Sequence, residues 1–87
     1  TPLHFAVQHA CADLARVLLE HGADVNAVNH RRNTPLMEAS LLGHLPAVKV
    51  LLDNGADIEH ANCRDATAVN MAIFGCHLDI IKRLVKH

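Results

Sequence analysis

The sequence predicts an all-α fold of repeated helix pairs, and three observations carry that expectation. The chain superposes on itself when shifted by 33 places, apolar residues within each period recur at helical spacing, and helix start and stop residues keep their places in the period. The shift sets Thr1-Pro2-Leu3 on Thr34-Pro35-Leu36, Val17-Leu18-Leu19 on Val50-Leu51-Leu52, and Gly22-Ala23-Asp24-Val25 on Gly55-Ala56-Asp57-Ile58. A second shift brings Thr67-Ala68-Val69 and Leu84-Val85 into the same columns. The units are 1–33, 34–66 and a truncated 67–87, with no insertion between them, and they form one array over 1–87.

Each unit begins on a threonine whose hydroxyl can cap a helix, followed in the first two by a proline that lacks the N–H left unpaired at that position anyway. A short first helix is expected over 2–9, 35–42 and 68–75, and a second over 12–21, 45–54 and 78–86. The packing stripe of the second helix is read as Ala12, Ala15, Leu18, Leu19; Leu45, Val48, Leu51, Leu52; and Leu78, Ile81, Leu84, Val85. Pro46 falls in a first helical turn, where it is tolerated. Gly22 and Gly55 lie just past helix ends, where a left-handed residue closes the helix. The polar stretches 24–33 and 57–66 read as extended, hairpin-like loops.

Thr1-Pro2-Leu3-His4 with Ala6, followed by Gly22-Ala23-Asp24-Val25-Asn26, resembles the ankyrin repeat signature, and the period matches it. The resemblance covers the whole chain. It implies a solenoid of antiparallel helix pairs stacked side by side, with loops projecting at right angles, serving as a protein-interaction scaffold. The departures are specific: Arg32 and Asp65 stand where the family carries glycine, and the signature histidine is kept at His4 but becomes Met37 and Asn70. Gly43 occupies the turn between helices where the other units have Ala10 and Cys76, and Ala68 replaces the proline of the third unit. Leu84 and Val85 leave the last stripe apolar, so the array is expected to continue in a longer protein or to associate end to end.

Composition narrows the function. Hydrophobic residues make up 51% of the chain, yet only Phe5 and Phe74 are aromatic, which suits close helix packing better than a pocket for a ring-shaped ligand. A formal net charge of -1 gives no bulk attraction to nucleic acid or to an anionic membrane, and neither partner is expected. Three cysteines, Cys11, Cys63 and Cys76, make no disulfide framework, which favours a reducing cytoplasmic or nuclear setting.

By the resemblance, loop tips and the outer side of the first helices form the partner surface. Carried over by column, it contains Gln8 and His9; Val28, His30, Arg31, Arg32 and Asn33; Glu38, Leu41 and Leu42; Ala61, Cys63, Arg64, Asp65 and Ala66; and Met71 and Phe74. The residues themselves supply a second argument: Leu41, Leu42 and Phe74 lie off the packing stripe, and Arg31, Arg32 and Arg64 flank them with planar donors suited to carboxylates. An apolar centre rimmed by arginine is how interface hot spots are built, so the expected partner is a protein or peptide with acidic and apolar residues. The bland alternative is that the leucines pack on the neighbouring unit and the arginines are merely solvated. At the level of the whole protein, a scaffold and the substrate-recognition part of a ubiquitin-ligase receptor are alternatives.

Other chemistry finds little support. The eight histidines include no pair spaced by three on one helix face, and no cysteine pair is spaced by two, so metal ligation is not expected; His44 and His77 share a column and are the one pair placed to approach. Cys63 beside Arg64 has no base placed by the repeat, so no enzyme activity and no cofactor are expected. Phosphate or nucleic-acid binding through Arg31, Arg32 and Arg64 lacks the aromatic platforms that single strands need. By resemblance, Leu18 with Asp24-Val25-Asn26 matches the pattern hydroxylated in many ankyrin domains, with Asn26 the target; the matching Glu59 of the second unit cannot serve.

Overall fold

A computed structural model describes residues 1–86. Six helices follow one another: α1 (Pro2–Gln8), α2 (Ala12–Glu20), α3 (Pro35–Leu42), α4 (Leu45–Asp53), α5 (Ala68–Phe74) and α6 (Leu78–Lys86). Every helix starts where the sequence places it, and the ends agree to within one residue, with His9, His21, Asn54 and Gly75 acting as C-caps. The threonines cap as expected. Thr1, Thr34 and Thr67 accept from the backbone N–H three residues on, at 3.2, 3.3 and 3.5 Å.

The signature column that carries histidine once and two other residues afterwards does related work each time. His4 Nε2 donates to the Asn33 carbonyl at 2.8 Å and its Nδ1 lies 2.6 Å from the Thr1 hydroxyl, so one ring ties the start of α1 to the loop that closes its own unit. Met37 and Asn70 instead reach back to the capping threonine: Thr34 N–H meets the Met37 sulfur at 3.5 Å, and Thr67 N–H donates to Asn70 Oδ1 at 2.9 Å. The missing proline at Ala68 costs the third unit nothing in register, because the Thr67–Asn70 capping box holds the helix start.

The helices form two layers. α1, α3 and α5 pack side by side, α2, α4 and α6 lie behind them, and each first helix packs on its own second helix. The core between the layers is aliphatic. Ala6, Ala39 and Ala72 occupy one column and are fully buried, and Leu3, Leu36, Val48, Leu51, Ile80 and Leu84 fill the space around them. Ser40 is buried at a column held by Val7 in the first unit, and its hydroxyl donates to the Leu36 carbonyl at 2.7 Å, which removes the cost of burying it.

The packing stripe of the second helices is the sequence expectation that needs correcting. Leu78 and Val85 are 69% and 71% exposed, whereas Ile80, outside the expected stripe, is fully buried. Burial depends on which neighbouring unit covers a column. The column of Leu14, Ala47 and Ile80 faces the preceding unit, so Leu14 is exposed and the other two are buried; that of Leu19, Leu52 and Val85 faces the following unit, so Val85 is open. A single helical period cannot show this, because it records one face and the solenoid uses two.

The departures from glycine keep the backbone that glycine would serve. In the turn between helices, Ala10, Gly43 and Cys76 have φ of 54°, 82° and 58°, and in the loops Arg32 and Asp65 have 62° and 61°. Each loop is a tight turn: Arg32 N–H donates to the Asn29 carbonyl at 2.9 Å, and Asp65 N–H to that of Asn62 at 3.0 Å. A left-handed conformation costs a side-chain-bearing residue about 1–2 kcal/mol, less for aspartate, while glycine adds roughly 0.5–1 kcal/mol of unfolded-state entropy. Arg32→Gly is therefore expected to stabilise the fold by about 1 kcal/mol and Asp65→Gly to change it little, a difference readable in urea unfolding followed by circular dichroism.

Candidate protein-interaction cleft

Asn29 and Asn62 occupy one column and build the two loop tips in the same way. Asn29 Oδ1 accepts from the backbone of Arg31 and Asn33 at 3.0 and 3.1 Å; Asn62 Oδ1 accepts from Arg64 and Ala66 at 2.9 and 3.0 Å. The tips are then joined to each other. Cys63 N–H donates to the Arg31 carbonyl at 3.1 Å, Asn62 Nδ2 to Asn33 Oδ1 at 2.9 Å, and the His60 ring to the Arg32 carbonyl at 3.0 Å. Further down, Asn26 Oδ1 accepts from Asp57 N–H at 2.8 Å, so the residue that resembles a hydroxylation target also links one loop to the next. The loops thus behave as a braced ribbon, which fixes the direction of the side chains at the tips.

Between this ribbon and the first-helix layer lies a cleft of about 480 Å³ lined by Arg31 and Asn33 from the first loop, Leu41 from α3, Asn62, Cys63, Arg64 and Ala66 from the second loop, and Asn70, Met71 and Phe74 from α5. Leu41 and Met71 are half-buried and form an apolar floor, and Phe74 stands 83% exposed at its edge. The two guanidinium groups are exposed and no carboxylate lines the cleft. Chemically it offers an apolar contact beside paired planar donors.

Eight of the seventeen expected surface residues line this cleft: Arg31, Asn33, Leu41, Cys63, Arg64, Ala66, Met71 and Phe74. Asn33 is buried and largely engaged with its neighbours, so it acts more as a wall than as a contact. The other nine lie outside it. Gln8 Nε2 donates to one oxygen of Glu38 at 3.1 Å and Asn29 Nδ2 to the other at 2.9 Å, so that carboxylate fastens the first unit to the second. His9 rests on Phe5 with ring centroids 4.3 Å apart. Val28, His30, Arg32, Leu42 and Asp65 are exposed and Ala61 is half-buried. Asn62 and Asn70 are the lining residues the sequence expectation left out, although the match of Asn62 to Asn29 in the period was a signal for the first.

The other chemistries have their own placements. The His77 ring sits against Gly43 and Gly75, with Nε2 donating to the Leu41 carbonyl at 2.9 Å. Among the described residues no group of three or more histidine, cysteine, aspartate or glutamate side chains could hold a metal ion, and no helix is long and apolar enough to cross a membrane. All three cysteines are free and exposed, and of these Cys63 lines the cleft.

Residues 1–62 match the family model described as ankyrin repeats (3 copies). The chain belongs to the ankyrin-repeat family. The ankyrin match stops short of the third helix pair, where the sequence has lost the proline and the signature histidine, yet α5 and α6 continue the stack. Among curated relatives, the chain is 54% identical over 39 residues to the serine/threonine-protein kinase VIK of Arabidopsis thaliana, covering 45% of this chain and 9% of that protein. It is 43% identical over 49 residues to the E3 ubiquitin-protein ligase XBAT33 of the same plant, covering 56% and 10%, and 55% identical over 29 residues to ankyrin repeat and SOCS box protein 5 of Bos taurus, covering 33% and 9%. The chain thus spans about a tenth of the length of these relatives. Ankyrin repeats as a family mediate protein–protein interaction.

Proposed function

We propose that this ankyrin array is a non-catalytic binding module that holds a partner protein or peptide in the cleft between loop tips and first helices, and that the segment it takes carries acidic and apolar residues. The observation that carries this reading is the pairing of Arg31 and Arg64 with an apolar floor of Leu41 and Met71, edged by Phe74 and free of any carboxylate. Arginine matches carboxylates through two parallel N–H donors, and an exposed phenylalanine beside a concave apolar surface is a ready anchor. No cofactor is needed for this role.

Cys63 offers a direct test, because it lines the cleft while Cys11 and Cys76 are exposed elsewhere. Two single-cysteine variants, one keeping Cys63 and one keeping Cys11, would each carry a short photo-crosslinker. Partner adducts are expected from Cys63 and not from Cys11; equal adducts from both positions would contradict the reading.

A second reading rests on the relatives that are named as ubiquitin ligases. Within a larger regulatory protein, the same cleft would serve to select the substrate. Both readings use the same residues, and they differ in what happens to the captured protein, which becomes ubiquitinated by the full-length parent in the second and stays unmodified in the first.

A further inference from the structure

A second cleft, of about 380 Å³, opens in the second-helix layer between α4 and α6, away from the loop tips, and its lining is Leu45, Lys49, Asp79, Lys82, Arg83 and Lys86. Four cations against one carboxylate give 4 − 1 = +3 in a chain whose net charge is -1. We propose that this cleft binds a small, free, multiply phosphorylated anion, of the chemical class of the inositol polyphosphates.

The repeat itself supplies the control. Three columns of the second helix read Arg16, Val17 and Glu20 in the first unit and Lys49, Val50 and Asp53 in the second, one cation and one acid each. In the third unit the same columns read Lys82, Arg83 and Lys86. A valine and an acid have both become cations, so the charge is an addition to the repeat pattern and not part of it.

The cluster is also unneutralised from within. Among the described residues the ion pair is Arg16 with Asp13, at the far end of the stack, and none joins these four cations to a carboxylate. Asp79, the one acid in the cleft, turns its Oδ1 to the backbone N–H of Ile80 at 2.9 Å. Lys82 and Lys86 stand four residues apart on one helix, a spacing at which like charges destabilise. Completing the dipole of α6 is a solvated alternative for Arg83 and Lys86. Against it, α2 and α4 carry no basic residue in the last turn and are as long as α6, so the fold does not require cations there.

Charge density and surroundings separate this cleft from the one at the loop tips. There, two guanidinium groups stand beside an apolar floor; here, three ammonium groups and one guanidinium, all of which bind phosphate oxygens, share one small patch. Its lining comes from α4 and α6 alone, with the cations gathered around Leu45.

The test is calorimetric titration of the full chain with inositol hexakisphosphate at physiological ionic strength. The expected result is one site per chain, weakened about tenfold or more in the Arg83→Val/Lys86→Glu variant. That variant restores the residue types of the first two units, so it should keep the helical circular dichroism of the parent. Arg31→Glu/Arg64→Glu should leave this binding unchanged, which separates the second cleft from the partner cleft. Absence of binding, equal affinity in the Arg83→Val/Lys86→Glu variant, loss in the arginine reversal, or binding only to vesicles carrying phosphoinositides would each overturn the proposal.

Discussion

Replacing Gly43 by alanine is expected to destabilise the fold by about 2–4 kcal/mol, far more than an alanine in a helix-connecting turn ordinarily costs. Two effects add. Gly43 has a φ of 82°, where a Cβ costs about 1–2 kcal/mol. That Cβ would also lie 2.5 Å from Cε1 of His77, so the ring must leave its slot and give up the bond to the Leu41 carbonyl, a further loss of about 1 kcal/mol together with its packing. Gly75 closes the same slot from the other side: a Cβ there would meet the ring at 2.6 Å and the Leu41 carbonyl oxygen, a backbone atom with little freedom, at 2.8 Å. A double-mutant cycle separates the effects. With His77→Ala already in place, Gly43→Ala should cost only its backbone strain, and the coupling should be about 1–2 kcal/mol. Additive costs would show that the ring does not depend on the glycine.

Leu51→Ala should be about as damaging, costing about 2–5 kcal/mol, because it empties a fully buried position in the middle of the stack. α4 packs against α3, α2 and α6, so the helix that loses the side chain is the one that joins all three pairs. For a domain whose whole stability is of the order of 5–15 kcal/mol, that loss lowers the urea midpoint severely. The same truncation at Leu42, which is 47% exposed, should change stability by no more than about 0.5–1 kcal/mol. Circular dichroism against urea reads both. Equal losses at the two positions would mean that the core is not where the buried columns put it.

The fold was legible because its signals are local and repeated three times. Threonine caps, left-handed turn positions and helical spacing each depend on a few neighbouring residues, and the period let one unit confirm another. What could not be read depends on differences between units. Leu78 and Val85 have the pattern of buried residues, and only the stack shows that both are exposed, Val85 in a column that faces the following unit. The His77 slot requires glycine at both 43 and 75; His44, with Ala10 and Leu42 in those columns, has the same histidine and no such slot.

The candidate cleft was half legible for a similar reason. The column argument gathered the right loops and helices, bringing Arg31, Arg64, Leu41, Met71 and Phe74 to one place. It could not show that Glu38 is taken by Gln8 and Asn29, or that Asn62 and Asn70 wall the groove, because those contacts cross between units.

The central claim is that Arg31 and Arg64 select an acidic partner over the apolar floor. Its most direct measurement compares the parent chain with Arg31→Glu/Arg64→Glu for affinity toward the protein crosslinked at Cys63. Both arginines are exposed and only their backbone groups are engaged within the ribbon, so helical circular dichroism should be unchanged while affinity falls by about tenfold or more. Unchanged affinity with the fold intact would contradict the account.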